Sequence, residues 1–232
     1  MSKTALFAMP GPSRLCGQPS SRPRVLSGIL ALILFAQCVP ALADEPVAAI
    51  TYTRGNVTIK RTGQEHPAAA HEKDRMAVGD VVLAGADSSA QITFPDEAFV
   101  TLAPNSSLRV NQYTYDPGQQ RRTVVVKVLS GQARFLAYKP LSEDSSLRVE
   151  TGQALILTNI IADFVVSVSR RETEVAVLDK GVSVRNASPV VVGELGLGVN
   201  QRAVVKEKSP PAQPSIITPE QRKAYLKVFR RL

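Results

Sequence analysis

Residues 76–110 alternate apolar and polar side chains in short runs, and turn-forming residues interrupt these runs at close intervals. The interruptions are Gly79-Asp80, Gly85, Pro95-Asp96 and Pro104-Asn105. A period of two between turn residues is typical of half-buried antiparallel strands joined by tight turns. This stretch therefore predicts a sheet of short strands and does not indicate a catalytic cleft.

The same pattern continues along most of the chain, where Val, Ile and Thr dominate the runs because their branched side chains pack well on a pleated surface. Strands are predicted at 47–54, 56–61, 81–84, 90–94, 98–102, 108–113, 123–129, 132–138, 146–151, 154–158, 163–169, 174–178, 182–185, 190–192 and 201–206. Many short, evenly spaced strands predict an all-β fold of antiparallel or stacked strands. A β-roll, a sandwich and a short solenoid all remain open, with one short helix at the C-terminus.

An internal repeat supports one stacked domain. Residues 128–135 and 177–184 both run through a strand, a polar turn, a glycine and a second strand, and Gly55 begins a shorter copy. We expect Gly131 and Gly181 to adopt positive φ or to lie against a neighbouring strand. The repeat favours hairpins stacked around one core over two independent domains.

Residues 1–43 have the organisation of a secretory signal peptide. Four basic residues precede an apolar run at 25–35, and Ala41-Leu42-Ala43 follows it. A membrane anchor is the alternative, but a bilayer requires roughly 20 apolar residues, and this run is shorter. A lipid-modified Cys38 is disfavoured because bulky Gln37 precedes it. We expect cleavage after Ala43 and export to the periplasm of a Gram-negative bacterium.

Both cysteines, Cys16 and Cys38, lie in that segment. The mature chain would have no thiol, which excludes disulfides, zinc thiolate sites and cysteine nucleophiles. The whole chain has 28 basic and 20 acidic residues, but four of the basic residues and no acidic ones precede residue 44, so the net charge falls from +8 to +4. Such a charge favours solubility and adhesion to anionic envelope polymers and does not indicate nucleic-acid binding.

The predicted β-domain spans 44–206 and is followed by a proline-rich linker at 207–217, which we expect to be an extended tether. Thr218, Pro219 and Glu220 then form a helix start, so 218–232 is predicted as a short basic amphipathic helix. Its apolar stripe contains Tyr225 and Phe229. The stripe either docks on the β-domain or contacts a membrane surface, the peptidoglycan or a partner.

Few residues suggest chemistry. His66 and His71 occupy a polar loop, and Pro67 opposes the helix that would place them on one face, so no metal site is predicted. No histidine accompanies the serines at 88–89 and 106–107, which are interpreted as turn hydroxyls. The glycines at 193, 196 and 198 lack a following helix or lysine and are interpreted as a strand-connecting turn.

The acidic residues do not predict a catalytic pair. Asp96-Glu97 and Glu143-Asp144 lie in predicted turns, where neighbouring carboxylates are expected to stay solvated. Asp163 interrupts an apolar run, so it must face solvent or find a donor, and a solvent-facing position is expected. No catalytic, cofactor-binding or metal-binding residue is predicted, and the chain is not expected to be an enzyme.

Several of these patterns together resemble the FecR domain family. The matching residues are Gly55, Val57, Gly79-Asp80, Gly85, Asp87-Ser88-Ser89-Ala90, Pro95-Asp96, Leu102, Pro104-Asn105-Ser106, Gly131 and Gly181-Val182. The resemblance extends from about residue 47 to 206. It departs at 160–162, where Ile-Ile-Ala replaces the Arg-Gly-Thr that often precedes Asp-Phe in the family.

The resemblance implies a β-rich periplasmic domain. The best-known members of the family act in cell-surface signalling and join an outer-membrane receptor to an inner-membrane sigma regulator. Those regulators have a cytoplasmic N-terminal region and a transmembrane helix, which are not predicted in this sequence, so we do not expect their role to transfer whole. The resemblance also implies architectural roles for the matched turn residues. Two functional hypotheses follow. The chain is a non-catalytic module that binds an envelope protein through an exposed strand edge, or it binds or modifies a cell-wall glycan.

Overall fold

A computed structural model describes residues 45–137, 142–159 and 161–229. The predicted signal peptide lies outside these residues. Within them, no helix is long and apolar enough to cross a membrane.

The described residues form short strands and one C-terminal helix, so the predicted all-β class is confirmed. The strands are β1 Ala48–Arg54, β2 Val57–Lys60, β3 Ala68–Ala69, β4 Arg75–Met76, β5 Val81–Ala84, β6 Ser89–Thr93, β7 Phe99–Leu102, β8 Ser106–Asp116, β9 Arg121–Ala137, β10 Ser146–Glu150, β11 Ala154–Thr158, β12 Ala162–Val168, β13 Glu172–Lys180, β14 Val182–Asn186, β15 Glu194–Leu197, β16 Gln201–Lys206 and β17 Ser215–Ile216. The helix, α1, spans Pro219–Phe229.

Two predictions about individual strands were wrong. The strands predicted at 123–129 and 132–138 are parts of one continuous strand, β9. The strand predicted at 190–192 is a loop, and the strand in this region is β15, which includes one of the glycines assigned to a turn.

The strands form two hydrogen-bonded sheets that share β9. Sheet A has the order β4-β1-β6-β7-β9-β12-β13-β16-β17. Sheet B has the order β3-β2-β5-β8-β9-β10-β11-β14-β15. All of these pairs are antiparallel except β9 with β10. Because successive strands and hairpins alternate between the sheets, the chain builds both layers together.

One hydrophobic core lies between the sheets. Alternate residues of both sheets point into it, and the rings of Phe135 and Phe164 stack there with centroids 5.1 Å apart. On β8, for example, Leu108 and Val110 are buried while Arg109 between them is exposed. The single main core agrees with the prediction of stacked hairpins.

Strand β9 changes sheets at Gly131. Residues up to Ser130 pair with β8 in sheet B, and residues from Gly131 onward pair with β12 in sheet A. Gly131 has a φ of +76°, and a Cβ at this position would lie 2.3 Å from Ser106 Oγ. In the other repeat copy the positive φ falls on Lys180, and a Cβ on Gly181 would lie 3.0 Å from the Leu197 carbonyl oxygen. Both reasons expected for these glycines are therefore present.

The segment at 207–217 differs from the expected tether because it follows sheet A. The amide of Ala212 donates to the carbonyl oxygen of Val204 over 2.9 Å, and β17 pairs with β16. Ile217 is buried and leads directly into α1.

Candidate partner-binding surfaces

Asp80 of the Gly-Asp pair connects a turn to neighbouring backbone. Its side chain is 2% exposed. One carboxylate oxygen accepts from the Thr62 amide over 2.9 Å, and the other accepts from the Ala77 amide over 3.0 Å and from Arg61 Nη1 over 2.9 Å. This carboxylate therefore has a structural role that the sequence pattern alone did not specify.

Two of the predicted turn serines play similar parts. Ser88 Oγ accepts from the Asn56 amide over 2.9 Å and donates to the Ala86 carbonyl oxygen. Ser106 Oγ accepts from the Gln132 amide over 2.8 Å and donates to the Pro104 carbonyl oxygen. These hydroxyls bond local and cross-strand backbone, which supports their interpretation as turn hydroxyls.

The expectation that Asp96 stays solvated was wrong. Its side chain is fully buried and accepts a hydrogen bond from Arg122 Nη1, which is itself buried. The Tyr113 hydroxyl donates to the same carboxylate over 3.4 Å. Burial, followed by the negative charge of Asp96, raises the pKa of Tyr113 well above its usual value. Asp96 is neutralised inside the domain, whereas Glu97, Glu143 and Asp144 are exposed.

Asp163 also finds a donor, contrary to the expectation that it faces solvent. Arg134 on β9 donates hydrogen bonds to its carboxylate from Nε and Nη2 over 2.9 and 2.7 Å. The Asp163 side chain is 13% exposed. The hydrogen bonds to Asp163 raise the pKa of Arg134. This bidentate ion pair places two matched charges on the outer face of sheet A.

The two histidines do not form a site with other ligands in the structure. His66 and His71 are both exposed, and His71 Nδ1 lies 4.0 Å from Asp74 Oδ2. Among the described residues, no group of three His, Cys, Asp or Glu side chains could hold a metal ion.

Helix α1 docks on the outer face of sheet A. Phe229 and Ile217 are buried with Val165 and Leu178 in a second, smaller core, and Tyr225 and Leu226 pack against it. Of the two interpretations of the apolar stripe, docking on the β-domain matches these contacts. Phe229 is buried and Tyr225 is half-buried, so the described part of the stripe faces the β-domain.

Polar contacts hold the first turn of the helix. The Gln221 amide donates to Thr218 Oγ1 over 3.3 Å, and Gln221 Oε1 accepts from the Thr218 amide over 3.0 Å, so the predicted start is a capping box. Arg222 Nη1 donates to the Leu178 carbonyl oxygen over 2.9 Å and to Asn200 Oδ1 over 2.6 Å. These bonds orient α1 along sheet A.

The loop between β14 and β15 forms an exposed apolar tip, named here the valine tip and defined by Val190, Val191 and Val192. Val190 is 84% exposed and Val192 is 89% exposed. A groove of about 460 Å³ runs beside it, lined in part by Leu155, Arg185 and Glu194. Valine side chains with such a large exposed fraction are candidates for contact with another molecule.

Strand β15 continues directly from the valine tip along the edge of sheet B. It pairs with β14 on one side, and no other described strand pairs with it. An edge strand leaves backbone N–H and C=O groups able to pair with an added strand. The sequence missed this arrangement because three consecutive valines were interpreted as a strand of their own.

Comparison with known proteins supports the resemblance noted in the sequence. Residues 80–183 match the model of the family described as FecR protein. The match is narrower than the expected range of 47–206. None of the curated proteins matches the chain.

Two solved structures are similar to this chain, and both are of a candidate anti-sigma factor from Parabacteroides distasonis. One is 19% identical with a TM-score of 0.48, and the alignment covers 63% of each chain. The other is 20% identical with a TM-score of 0.47, and covers 63% of this chain and 64% of the other. The chain therefore spans less than two thirds of the length of the structures it matches.

Proposed function

We propose that this chain, which carries a FecR domain at 80–183, is a non-catalytic signalling module that binds another protein of the bacterial envelope. In this proposal the segment 1–43 directs export and is removed after Ala43, so that the β-domain acts in the periplasm. The FecR match supports a signalling role. The segment at 207–217 and helix α1 then belong to the same folded unit as the β-domain.

The observation that carries the proposal is the continuity of the valine tip with the free edge of β15. A partner strand added to β15 would form main-chain hydrogen bonds, and burial of Val190 and Val192 would add apolar contact. Backbone pairing gives affinity with little sequence selectivity, so the valines would supply part of the specificity. The two features lie next to each other in the chain and can engage one partner.

A non-catalytic role is supported by where the chemically capable groups lie. Asp96 is neutralised by Arg122, and Asp163 is paired with Arg134. The histidines are exposed on a loop, without the third ligand or orienting group that metal or nucleophilic chemistry requires. The arrangement resembles a scaffold more closely than a reaction centre.

The binding surface can be tested by photocrosslinking in the producing bacterium. A photoreactive amino acid placed at Val192 should give a discrete protein adduct. The control places the same photoreactive amino acid at Val78, which is 39% exposed. Val78 lies in the turn before β5, and β5 is near the edge of sheet B opposite to β15. A Val190→Asp change should abolish the Val192 adduct. Equal adducts at both positions, or an adduct that survives Val190→Asp, would contradict the proposal.

Strand addition has its own readout in amide hydrogen exchange. Formation of the crosslinked or purified complex should slow exchange at amides within 194–197, because outward-facing N–H groups acquire acceptors. Protection confined to the valine tip would show binding without strand pairing. Export is tested separately by cell fractionation and by N-terminal sequencing, which should find Asp44 as the first residue of the periplasmic form.

A further inference from the structure

The outer face of sheet B carries five basic side chains, which we name the basic face: Lys60, Arg109, Lys127, Arg148 and Arg185. Each alternates with residues buried in the main core, so each points away from it. Four of the five are exposed and Lys127 is half-buried. The face is separate from the surface that α1 covers, which belongs to sheet A.

Strand register places four of these residues, all except Arg148, in one row across the sheet. Lys60 lies opposite Val81, Val81 opposite Arg109, and Arg109 opposite Lys127. Beyond β9, Glu150 lies opposite Lys127 on one side and Leu155 on the other, and Leu155 lies opposite Arg185. Arg148 lies opposite Val125, two residues along β10 from the row. Six strand-to-strand steps separate Lys60 from Arg185. At roughly 4.8 Å per step, the row is about 29 Å long and runs perpendicular to the strands.

The five cations of the basic face form no close ion pair with the described residues. None of the five has a described carboxylate oxygen within 4.0 Å. Two acids share the row: Glu150 lies opposite Lys127 and accepts from Asn111 over 3.2 Å, and Glu194 lies opposite Arg185 and accepts from Ser183. The five basic and two acidic residues leave an excess of three positive charges. Sheet A differs, because Arg134 and Arg202 on its outer face pair with Asp163 and Glu174.

Directly opposed like charges weaken a sheet. The direct pairing of Arg109 with Lys127 therefore opposes folding, and an anionic ligand bound to both residues would relieve this repulsion together with Glu150, which lies on the other side of Lys127. The cations form a band that is long across the sheet and narrow along the strands, and such a band suits a linear ligand better than a flat surface such as a membrane. The row contains no aromatic side chain of the kind that anchors proteins at a membrane interface.

We propose that the basic face binds a linear anionic polysaccharide, carrying carboxylate or phosphate groups, that lies across the strands of sheet B. Its charges would sit over Arg109, Lys127 and Arg148, and the aliphatic side chains of Val81 and Leu155 would contact the sugar rings. The basic face meets the valine tip at Leu155 and Arg185, which line the groove beside the tip, whereas Arg109, Lys127 and Arg148 do not line that groove. Removal of the charges at Arg109 and Arg148 should therefore weaken glycan binding and leave the protein contact at the valine tip.

The test uses the purified chain and polygalacturonate, a linear carboxylated polysaccharide, with neutral dextran as the uncharged control. Binding to polygalacturonate should weaken as salt is raised, and dextran should not bind. The double variant Arg109→Gln/Arg148→Gln should bind about 30-fold more weakly, since each basic residue near an anionic surface contributes on the order of a factor of five. Its melting temperature should be equal to or above that of the unmodified chain.

The matched control removes two exposed cations from the helix instead, as Lys223→Gln/Lys227→Gln. The proposal expects this control to bind polygalacturonate as the unmodified chain does. Equal losses in both double variants would show that binding follows net charge and would overturn it. Binding only to phosphatidylglycerol vesicles, or only to poly-glutamate, would assign the face to a membrane or an acidic protein. Because crosslinking at Val192 is measured independently, a failure here is distinguishable from a failure of the protein-binding proposal.

Discussion

The Tyr225 hydroxyl on α1 donates a hydrogen bond to Glu174 Oε1 on β13. The other oxygen of this carboxylate accepts from Arg202 Nη1 on β16 over 2.9 Å. One half-buried carboxylate therefore joins the C-terminal helix to two strands of sheet A. These polar bonds supplement the apolar contacts of Phe229 and make the helix part of the folded domain.

Replacing Tyr225 with Phe should weaken helix docking, because the ring stays in place while the bond to Glu174 is lost. A net hydrogen bond of this kind contributes about 1 kcal/mol. The expected result is a fall of about that size in the free energy of unfolding, with faster amide exchange confined to α1 and residues 215–217. Tyr52→Phe is the control on a strand that does not touch the helix. Uniformly faster exchange over both sheets would contradict the prediction.

The same contact should depend on pH. Burial, followed by the hydrogen bond to Glu174, raises the pKa of Tyr225 to about 12 from an ordinary value of 10.0. The folded state therefore favours the neutral phenol. Its stabilisation is fully present below pH 10 and is lost as pH rises towards 12. The stability difference between the unmodified chain and Tyr225→Phe, measured by urea unfolding, should stay constant to about pH 9 and shrink by pH 12. A difference that persists unchanged at pH 12 would oppose this assignment.

The fold class followed from local signals. Alternation at 76–110 reports which side chains face a core, and turn residues such as Asn105 report where strands end. Those signals carry no information about which strands become neighbours. Gly131 illustrates this limit. A glycine between the polar residues Ser130 and Gln132 indicates a turn, yet the positive φ of Gly131 lets β9 continue from one sheet into the other.

The candidate surfaces were less predictable because they depend on distant partners. Asp96 and Arg122 are 26 residues apart in sequence, and a buried pair at that separation leaves no periodic signal. The basic face is assembled from five strands whose order only the register reveals. The three valines at 190–192 have high strand propensity, and this local preference predicts a strand. In the structure these residues form an exposed loop after the end of β14.

The Asp96 and Arg122 pair should show strong energetic coupling. Removing one partner leaves a buried charge unpaired, so Asp96→Leu and Arg122→Met should each lower the free energy of unfolding by about 3 to 5 kcal/mol. The double variant places apolar groups at both positions and should be far less destabilised than the sum. Urea unfolding of the four proteins completes the cycle. Additive losses would mean that the two side chains do not act as a pair.

Gly131→Ala should be more destabilising than Gly63→Ala, although both glycines have a φ of +76°. At Gly63 a Cβ meets nothing within 4 Å, so the substitution isolates the backbone strain, about 1 to 2 kcal/mol. At Gly131 the Cβ would also lie 2.5 Å from the Asn105 carbonyl oxygen, which adds an overpacking cost of about 1 to 3 kcal/mol. Equal losses in urea unfolding would show that the crossover of β9 tolerates a side chain.

Arg109→Gln should stabilise the ligand-free protein. Arg109 lies between Val81 and Lys127, so the substitution removes like-charge repulsion without breaking an ion pair described in the structure. The expected gain is about 0.2 to 1 kcal/mol, and it should shrink in high salt. Lys60→Gln is the matched control, because Lys60 lies opposite neutral Val81. A loss of stability in Arg109→Gln would show that the two cations are compatible, and the like-charge pair would then no longer require an anionic ligand.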